Sequence, residues 1–260
     1  MSNNSAIKNY ALLHNLPILQ PTNMKSPDFV DELRALNANL FVVVAFRMMP
    51  EIVWNMPEMG TINLHGSLLP AYRGAAPINW AIINGESETG VTTFKLKQVV
   101  DTGDILLQKV VPILDSDNAE TLHDKLMNIG ADLLVETVIG LYEGSLKETP
   151  QKDVETTYAK KLFKDNTIID WNNNVFTVNN FIRGLSPYPC AYIYLGKKLL
   201  KIQRTHYIID THSKPVGTLD TDSKTYLRFA CLDGWTYIDD LQLEGKKRMY
   251  ITDFLMGYRF

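Results

Sequence analysis

The sequence predicts an α/β protein with a second, all-β part: an open, mostly parallel sheet flanked by helices, then a small β-barrel. Three observations carry that expectation. Strand-like apolar runs alternate with helical patterns through the first half, which is how a βαβ sheet reads. A long amphipathic pattern follows, with Leu122, Leu126, Ile129, Leu133, Leu134, Val138 and Leu141 on one stripe. After Pro189, short β-like runs recur between Gly196, Gly217 and Gly234, a spacing suited to a small barrel.

Taken in order, Ala6 to His14 is a short helical pattern and Leu16 to Gln20 reads as a brief strand. Ser26 before Pro27 starts a helix, with Asp28, Asp31 and Glu32 in its early turns, where the helix dipole favours negative charge. Phe29, Val30, Leu33 and Leu36 make its stripe. Leu40 to Phe46 is almost continuously apolar and β-branched, as expected of a parallel strand covered on both faces. Pro50 to Asn55 opens another helix, and the strand Thr61 to His65 follows. This order is Rossmann-like, and in such sheets ligands bind beyond the carboxyl ends of the strands.

Ala75 to Ile83 is helical, closed by Asn84-Gly85. Gly90 to Leu96 and Ile105 to Ile113 are strands, and Asn118 caps the long helix, which ends before Gly144. From Lys147 to Asp165 the periodicity fades into charged residues, which reads as a linker. A helix through Phe181, Ile182 and Leu185 stops at Pro187 and Pro189. The barrel strands are Ala191 to Leu195, Leu199 to Thr205, Gly217 to Leu219, Tyr226 to Cys231 and Trp235 to Leu243. The expected division is therefore 1–147, a linker over 148–165, and 166–260.

Composition bounds the class. The chain has 260 residues, 45% apolar and 21% charged, as in a globular protein with a sizeable core. No apolar run is long enough to span a bilayer, and Met1-Ser2-Asn3-Asn4-Ser5 lacks a signal-peptide pattern, so a cytoplasmic location and no membrane partner are expected. Cys190 and Cys231 have neither zinc-type spacing nor disulfide-scaffold density, and are read as reduced, buried thiols with no metal implied. Net charge is −3, but 14 basic face 20 acidic residues up to Asp165 and 12 face 9 from Asn166 onward. A polyanion would meet the second part, although scatter between small numbers reads equally well.

The chemistry concentrates between Gly60 and Asp104. On a strand over Thr61 to His65, Asn63 and His65 project on the same face. Gly66 and Pro70 stop that strand, and Asp101 stands in a turn before Gly103. An amide, an imidazole and a carboxylate suit acyl transfer to an amine. The Asn63 amide can donate to an oxyanion, His65 can donate to that oxygen or shuttle a proton, and Asp101 can orient the imidazole or accept the amine's proton. Direct transfer is the simpler route, since none of the three is a good covalent nucleophile here. The same residues also occur structurally: Asn-x-His on a strand and Asp-Thr-Gly in a turn.

The runs NLHGSLLP from Asn63, RGAAPINWAI from Arg73 and ETGVTTFKLKQVVDTGDILLQKVVPI from Glu88 resemble the catalytic core of the folate-dependent formyltransferases, most closely those acting on methionyl-tRNA. The resemblance implies that Asn63, His65 and Asp101 are catalytic. It implies that Ser67, Leu68, Leu69 and Pro70 line the site of the formyl donor, 10-formyltetrahydrofolate, and that the main chain of Val44, Ala45, Phe46 and Arg47 binds the pterin. The tail from Leu243 to Tyr258 resembles the close of that family's C-terminal domain, which implies an OB-like barrel that binds tRNA. The acceptor arm of initiator methionyl-tRNA would be the partner. Lys197, Lys198, Lys201, Arg204, Lys246, Lys247 and Arg248 are the phosphate-contact candidates. Formylation of an amino sugar, or a folate- or RNA-binding remnant, are the alternatives.

The likeness runs from about Ala6 to the C-terminus. The family's opening strand, helix and second strand, with a basic loop for the acceptor stem, are expected upstream of it, so the sheet is read as N-terminally truncated. On that reading the chain keeps the chemical signature with impaired or no tRNA formylation. The segment Ala45 to Pro50 also departs from commoner family versions. No residue pattern fixes the oligomeric state.

Overall fold

Ser5 accepts a hydrogen bond from the Lys8 amide and starts helix α1 (Ala6–Leu13), none of whose residues is buried. It opens the first of two compact units, 1–61 and 62–260; the computed structural model describes residues 4–45, 48–152 and 156–260. Helix α2 (Pro27–Ala35) has Pro27 in its first turn with Asp28 and buries only Val30. Strand β1 (Phe41–Val43) and the short helix α3 (Glu51–Trp54) complete this unit, and the Phe41 amide donates to Gly60 O at 3.2 Å.

Two expectations need correction here. Leu16 to Gln20 forms no strand; Pro17 removes a donor that a ladder would use. The run around β1 is not covered on both faces either, since Val42 is 45% and Val44 54% exposed. Helices α1 and α2 bring only one buried residue between them, too little apolar surface to cover the strand.

The second unit is built on strands β2 (Thr61–His65), which begins at the boundary, β3 (Arg73–Gly74), β4 (Glu88–Lys95) and β5 (Ile105–Pro112), with helix α4 (Pro77–Ile83) between β3 and β4. The α/β class stands, but the strand sense differs from the expected parallel arrangement. β2 pairs β4 antiparallel, Asn63 opposite Phe94 and His65 opposite Thr92, and β4 pairs β5 antiparallel. Residues 96–104 link β4 to β5, too short for the crossover of about a dozen residues that a parallel pair needs.

Helix α5 (Ala119–Tyr142) packs on these strands. Its Asn118 cap and Thr121 exchange side-chain bonds with each other's backbone at 2.9 and 3.0 Å, a reciprocal start signal. Its buried stripe holds Leu122, Leu126 and Leu133, with Gly130, Thr137 and Gly140 in the same row. Thr137 Oγ1 lies 2.8 Å from Thr93 Oγ1 on β4 and donates to Leu133 O.

The described residues between Lys147 and Asp165 are stitched to the core. Strand β6 (Tyr158–Ala159) pairs β3 in parallel, the Trp80 indole donates to Lys160 O at 2.7 Å, and Ile105 and Thr149 exchange backbone bonds. Helix α6 (Val175–Leu185), capped by Asn174, leads into β7 (Ala191–Leu195), β8 (Lys198–Ile209), β9 (Leu219–Thr221), β10 (Leu227–Ala230), β11 (Gly234–Leu243) and β12 (Met249–Tyr250), closed by α7 (Ile251–Gly257). The sheet is antiparallel in the order β7-β8-β11-β10-β9, with β12 beside β11. Its ends do not pair, so it is a half-barrel. Val178, Ile182 and Leu185 of α6 cover its core face with Phe254 and Leu255 of α7.

Cys190 and Cys231 are free and buried, as expected, and burial pushes the Cys190 thiol up to about 11. Helix α6 also lies against α4. The Asn79 amide donates to Gly184 O at 2.8 Å, and a Cβ on Gly184 would come within 2.7 Å of Ile83. Arg183 donates to Leu114 O and Asp117 O at 3.1 and 2.9 Å.

Candidate active site

Strand β2 delivers Asn63 and His65 to its carboxyl end, both buried, at 3% and 7% exposure. His65 Nε2 is 2.9 Å from Tyr72 O. A carbonyl oxygen only accepts, so Nε2 carries the hydrogen, and in the neutral ring Nδ1 is left with a lone pair. That lone pair faces Asp101, whose Oδ2 is 3.9 Å away. The buried carboxylate is oriented from the other side, where the Gly74 amide donates to Oδ2 at 2.9 Å. His65 and Asp101 thus come together as an imidazole with a fixed tautomer and a carboxylate facing its other nitrogen, and the Asn63 amide shares the strand face of His65.

The Asp101 turn is set by close backbone approach. Asp101 has φ +56, and a Cβ on Gly103 would run into the Lys95 carbonyl oxygen, so only glycine fits there. The Lys95 amide meanwhile donates to Asp104 O at 2.9 Å.

The loop leaving β2 is held by Thr92 of β4. Its hydroxyl donates to Ser67 O at 2.6 Å and accepts from the Leu69 amide at 3.1 Å and the Gln108 side-chain amide at 2.9 Å. Thr92→Val leaves buried partners unsatisfied and is expected to cost about 2 kcal/mol of stability. A lower urea midpoint at unchanged slope would register it.

Residues 2–138 match the family described as Formyl transferase, and residues 161–259 match Formyl transferase, C-terminal domain. A protein of Parabacteroides distasonis named Methionyl-tRNA formyltransferase is 52% identical over 265 residues, which cover 98% of this chain and 82% of that one. One of Flavobacterium johnsoniae with the same name is 48% identical over 263 residues, with the same coverage of 98% and 82%. The chain belongs to the methionyl-tRNA formyltransferase family.

This formyltransferase also shares its fold with more distant solved structures. HypX from Aquifex aeolicus in complex with tetrahydrofolic acid has a TM-score of 0.65 at 21% identity, over 89% of this chain and 41% of that one. The sugar 3N-formyl transferase WlaRD has a TM-score of 0.67 at 22% identity, over 94% and 82%. At such identities the likeness speaks for the fold.

Of the other residues expected to bind the donor, Ser67 and Leu69 of the formyltransferase are buried at 0% and 3%, while Leu68 and Pro70 are half-buried. The Ser67 hydroxyl donates to Ala71 O at 2.6 Å and so closes the loop on itself. Val44 and Ala45 lie in the first unit, after β1, both exposed and Ala45 with φ +48. Phe46 and Arg47 lie outside the described residues. Tyr72, whose carbonyl fixes the imidazole, carries no marker in the sequence. Its own phenol donates to Glu86 at 2.5 Å; burial, then that bond, pushes it up to about 12.

Among the described residues no cluster of histidine, cysteine and acidic side chains suits a metal ion, and no helix is long and apolar enough to cross a membrane.

Proposed function

We propose that this formyltransferase moves a formyl group from 10-formyltetrahydrofolate to the α-amine of methionine on initiator tRNA, with Asn63, His65 and Asp101 as its catalytic residues. One observation carries the assignment of roles: buried His65, at the end of β2, is tied through Nε2 to Tyr72 O and turns Nδ1 toward buried Asp101 at 3.9 Å. The residues present suit such a donor, because Leu68 and Pro70 leave half-exposed apolar surface in the loop next to these polar groups. When bound, the donor supplies the formyl carbon that the amine attacks.

The chain's own groups do the rest. The Asn63 amide donates to the carbonyl oxygen as negative charge develops on it. His65 donates from Nδ1 to the same oxygen once that nitrogen also carries a hydrogen, and Asp101 faces it from 3.9 Å. Asp101 then accepts the proton that leaves the attacking amine, and that proton would balance the donor nitrogen released as its bond to the formyl carbon breaks. Each contact strengthens as charge builds, which is what lowers a barrier.

The tRNA would lie along the C-terminal sheet. Lys197, Lys198, Lys246 and Lys247 are exposed in and beside two turns that meet where the Glu244 amide donates to Leu199 O at 2.8 Å and the Leu199 amide to Glu244 Oε2 at 3.1 Å. Arg248 is occupied by Asp240, with contacts of 2.7 to 3.0 Å, and Arg204 lies 3.8 Å from Asp239. Exchanging the four lysines for glutamine is expected to weaken tRNA binding and to flatten its salt dependence by about one in the log–log slope for each lysine on a phosphate. Filter binding across a salt series measures both.

The function itself is tested by formyl transfer from 10-formyltetrahydrofolate to initiator methionyl-tRNA, with elongator methionyl-tRNA and a nucleotide-linked amino sugar as parallel acceptors. Preferential product on initiator tRNA is expected. Transfer to the sugar alone, or to nothing, overturns the reading.

A further inference from the structure

Gln151 lies in the segment that joins the catalytic strands to the C-terminal part, yet its side chain reaches back to the Asp101 turn. Its amide nitrogen donates to Asp101 O at 2.9 Å and to Gly103 O at 2.7 Å. Its amide oxygen accepts from Arg73 Nε at 3.1 Å and Nη2 at 2.6 Å. Two donors and two acceptor positions are all a side-chain amide has, so every one is used. Two carbonyls on one side and a guanidinium on the other also fix which way the amide faces.

The turn it grips needs holding. Asp101 is a non-glycine residue at φ +56, a conformation that persists when surrounding contacts over-determine it. Arg73, which Gln151 engages, precedes Gly74, whose amide donates to the Asp101 carboxylate. Backbone and carboxylate of Asp101 are therefore fixed through one connected set of bonds: Arg73 to Gln151 to the Asp101 carbonyl, and Gly74 to Oδ2. Glutamate in this place would have no hydrogens for the two carbonyls, and lysine nothing for the guanidinium.

We propose that Gln151 is a positioning residue for Asp101, holding the carboxylate toward His65 from outside the catalytic strands. The proposal rests on the reading of Asp101 as a catalytic residue. It gives the linker a part in the chemistry, since the segment between the two halves carries the amide that completes the turn.

The test uses the whole chain with Gln151→Glu, which keeps size and an acceptor for Arg73, and Gln151→Met, which keeps only shape. Single-turnover and steady-state formyl transfer are measured beside amide hydrogen exchange at Gly74. Both variants are expected to lower kcat by about tenfold to a hundredfold with KM for donor and tRNA within about threefold, the loss that a displacement near 1 Å produces. Gly74 exchange is expected to rise while the amides of β4 and β5 keep their protection. Unchanged kcat, a rise in KM alone, a fall in kcat with Gly74 exchange unchanged, or loss of protection across β4 and β5 would each overturn the positioning role. If the unsubstituted chain transfers no formyl group, the functional reading fails, and Gly74 exchange alone decides whether Gln151 holds the turn.

Discussion

His65→Ala is expected to lower kcat by about a hundredfold to a thousandfold, the loss seen when one donor to a developing oxyanion is removed. The imidazole cannot be replaced by a neighbour. Its Nε2 hydrogen is committed to Tyr72 O and its Nδ1 faces Asp101, and alanine leaves both the carbonyl and the carboxylate without it. Asn63→Ala and Asp101→Ala are expected to fall in the same range. The double variant His65→Ala/Asp101→Ala should lose little more than the worse single one, because groups that act as a unit do not contribute additively. Single-turnover transfer with saturating donor separates this from a binding defect; full activity in all three single variants would remove the mechanism.

Gly103→Ala is expected to have the next largest effect. The added Cβ would collide with the Lys95 carbonyl at the end of β4 and approach the Phe94 ring to 3.1 Å. Lys95 is held in the strand and its amide bonds Asp104 O, so the turn must give way. That displacement carries Asp101 with it. A stability loss of about 2 to 3 kcal/mol is expected from such overpacking, and kcat should drop by about a hundredfold as the carboxylate moves off line. Urea unfolding and single-turnover transfer on the same preparation would show whether both occur. Wild-type stability together with wild-type turnover would mean that the turn relaxes at no cost.

The sequence makes Asn63, His65 and Asp101 candidates because they are polar side chains at strand spacing and in a turn with a glycine. The groups that orient them do not stand out in it. Tyr72 O and the Gly74 amide are backbone groups, and any residue carries those. Gln151 is uncharged and follows Pro150 in a stretch without periodicity, so nothing set it apart from a solvated connection. The leucines mark the α5 stripe, whereas Gly130, Thr137 and Gly140 of the same row carry no such mark, because small and hydroxyl-bearing residues are not apolar. Strand sense in β4 and β5 could not be read from apolar runs, which look alike in either direction. Strand β12 has two residues, too few for any period to appear.

The contact between α4 and α6 ties together two helices that lie far apart in the sequence. Asn79 grips the Gly184 carbonyl, and Arg183 clasps two carbonyls ahead of α5, so the helix that covers the half-barrel is bolted to α4 and to the turn before α5. That joint is made by side chains of α4 and α6 and does not run through residues 147–165.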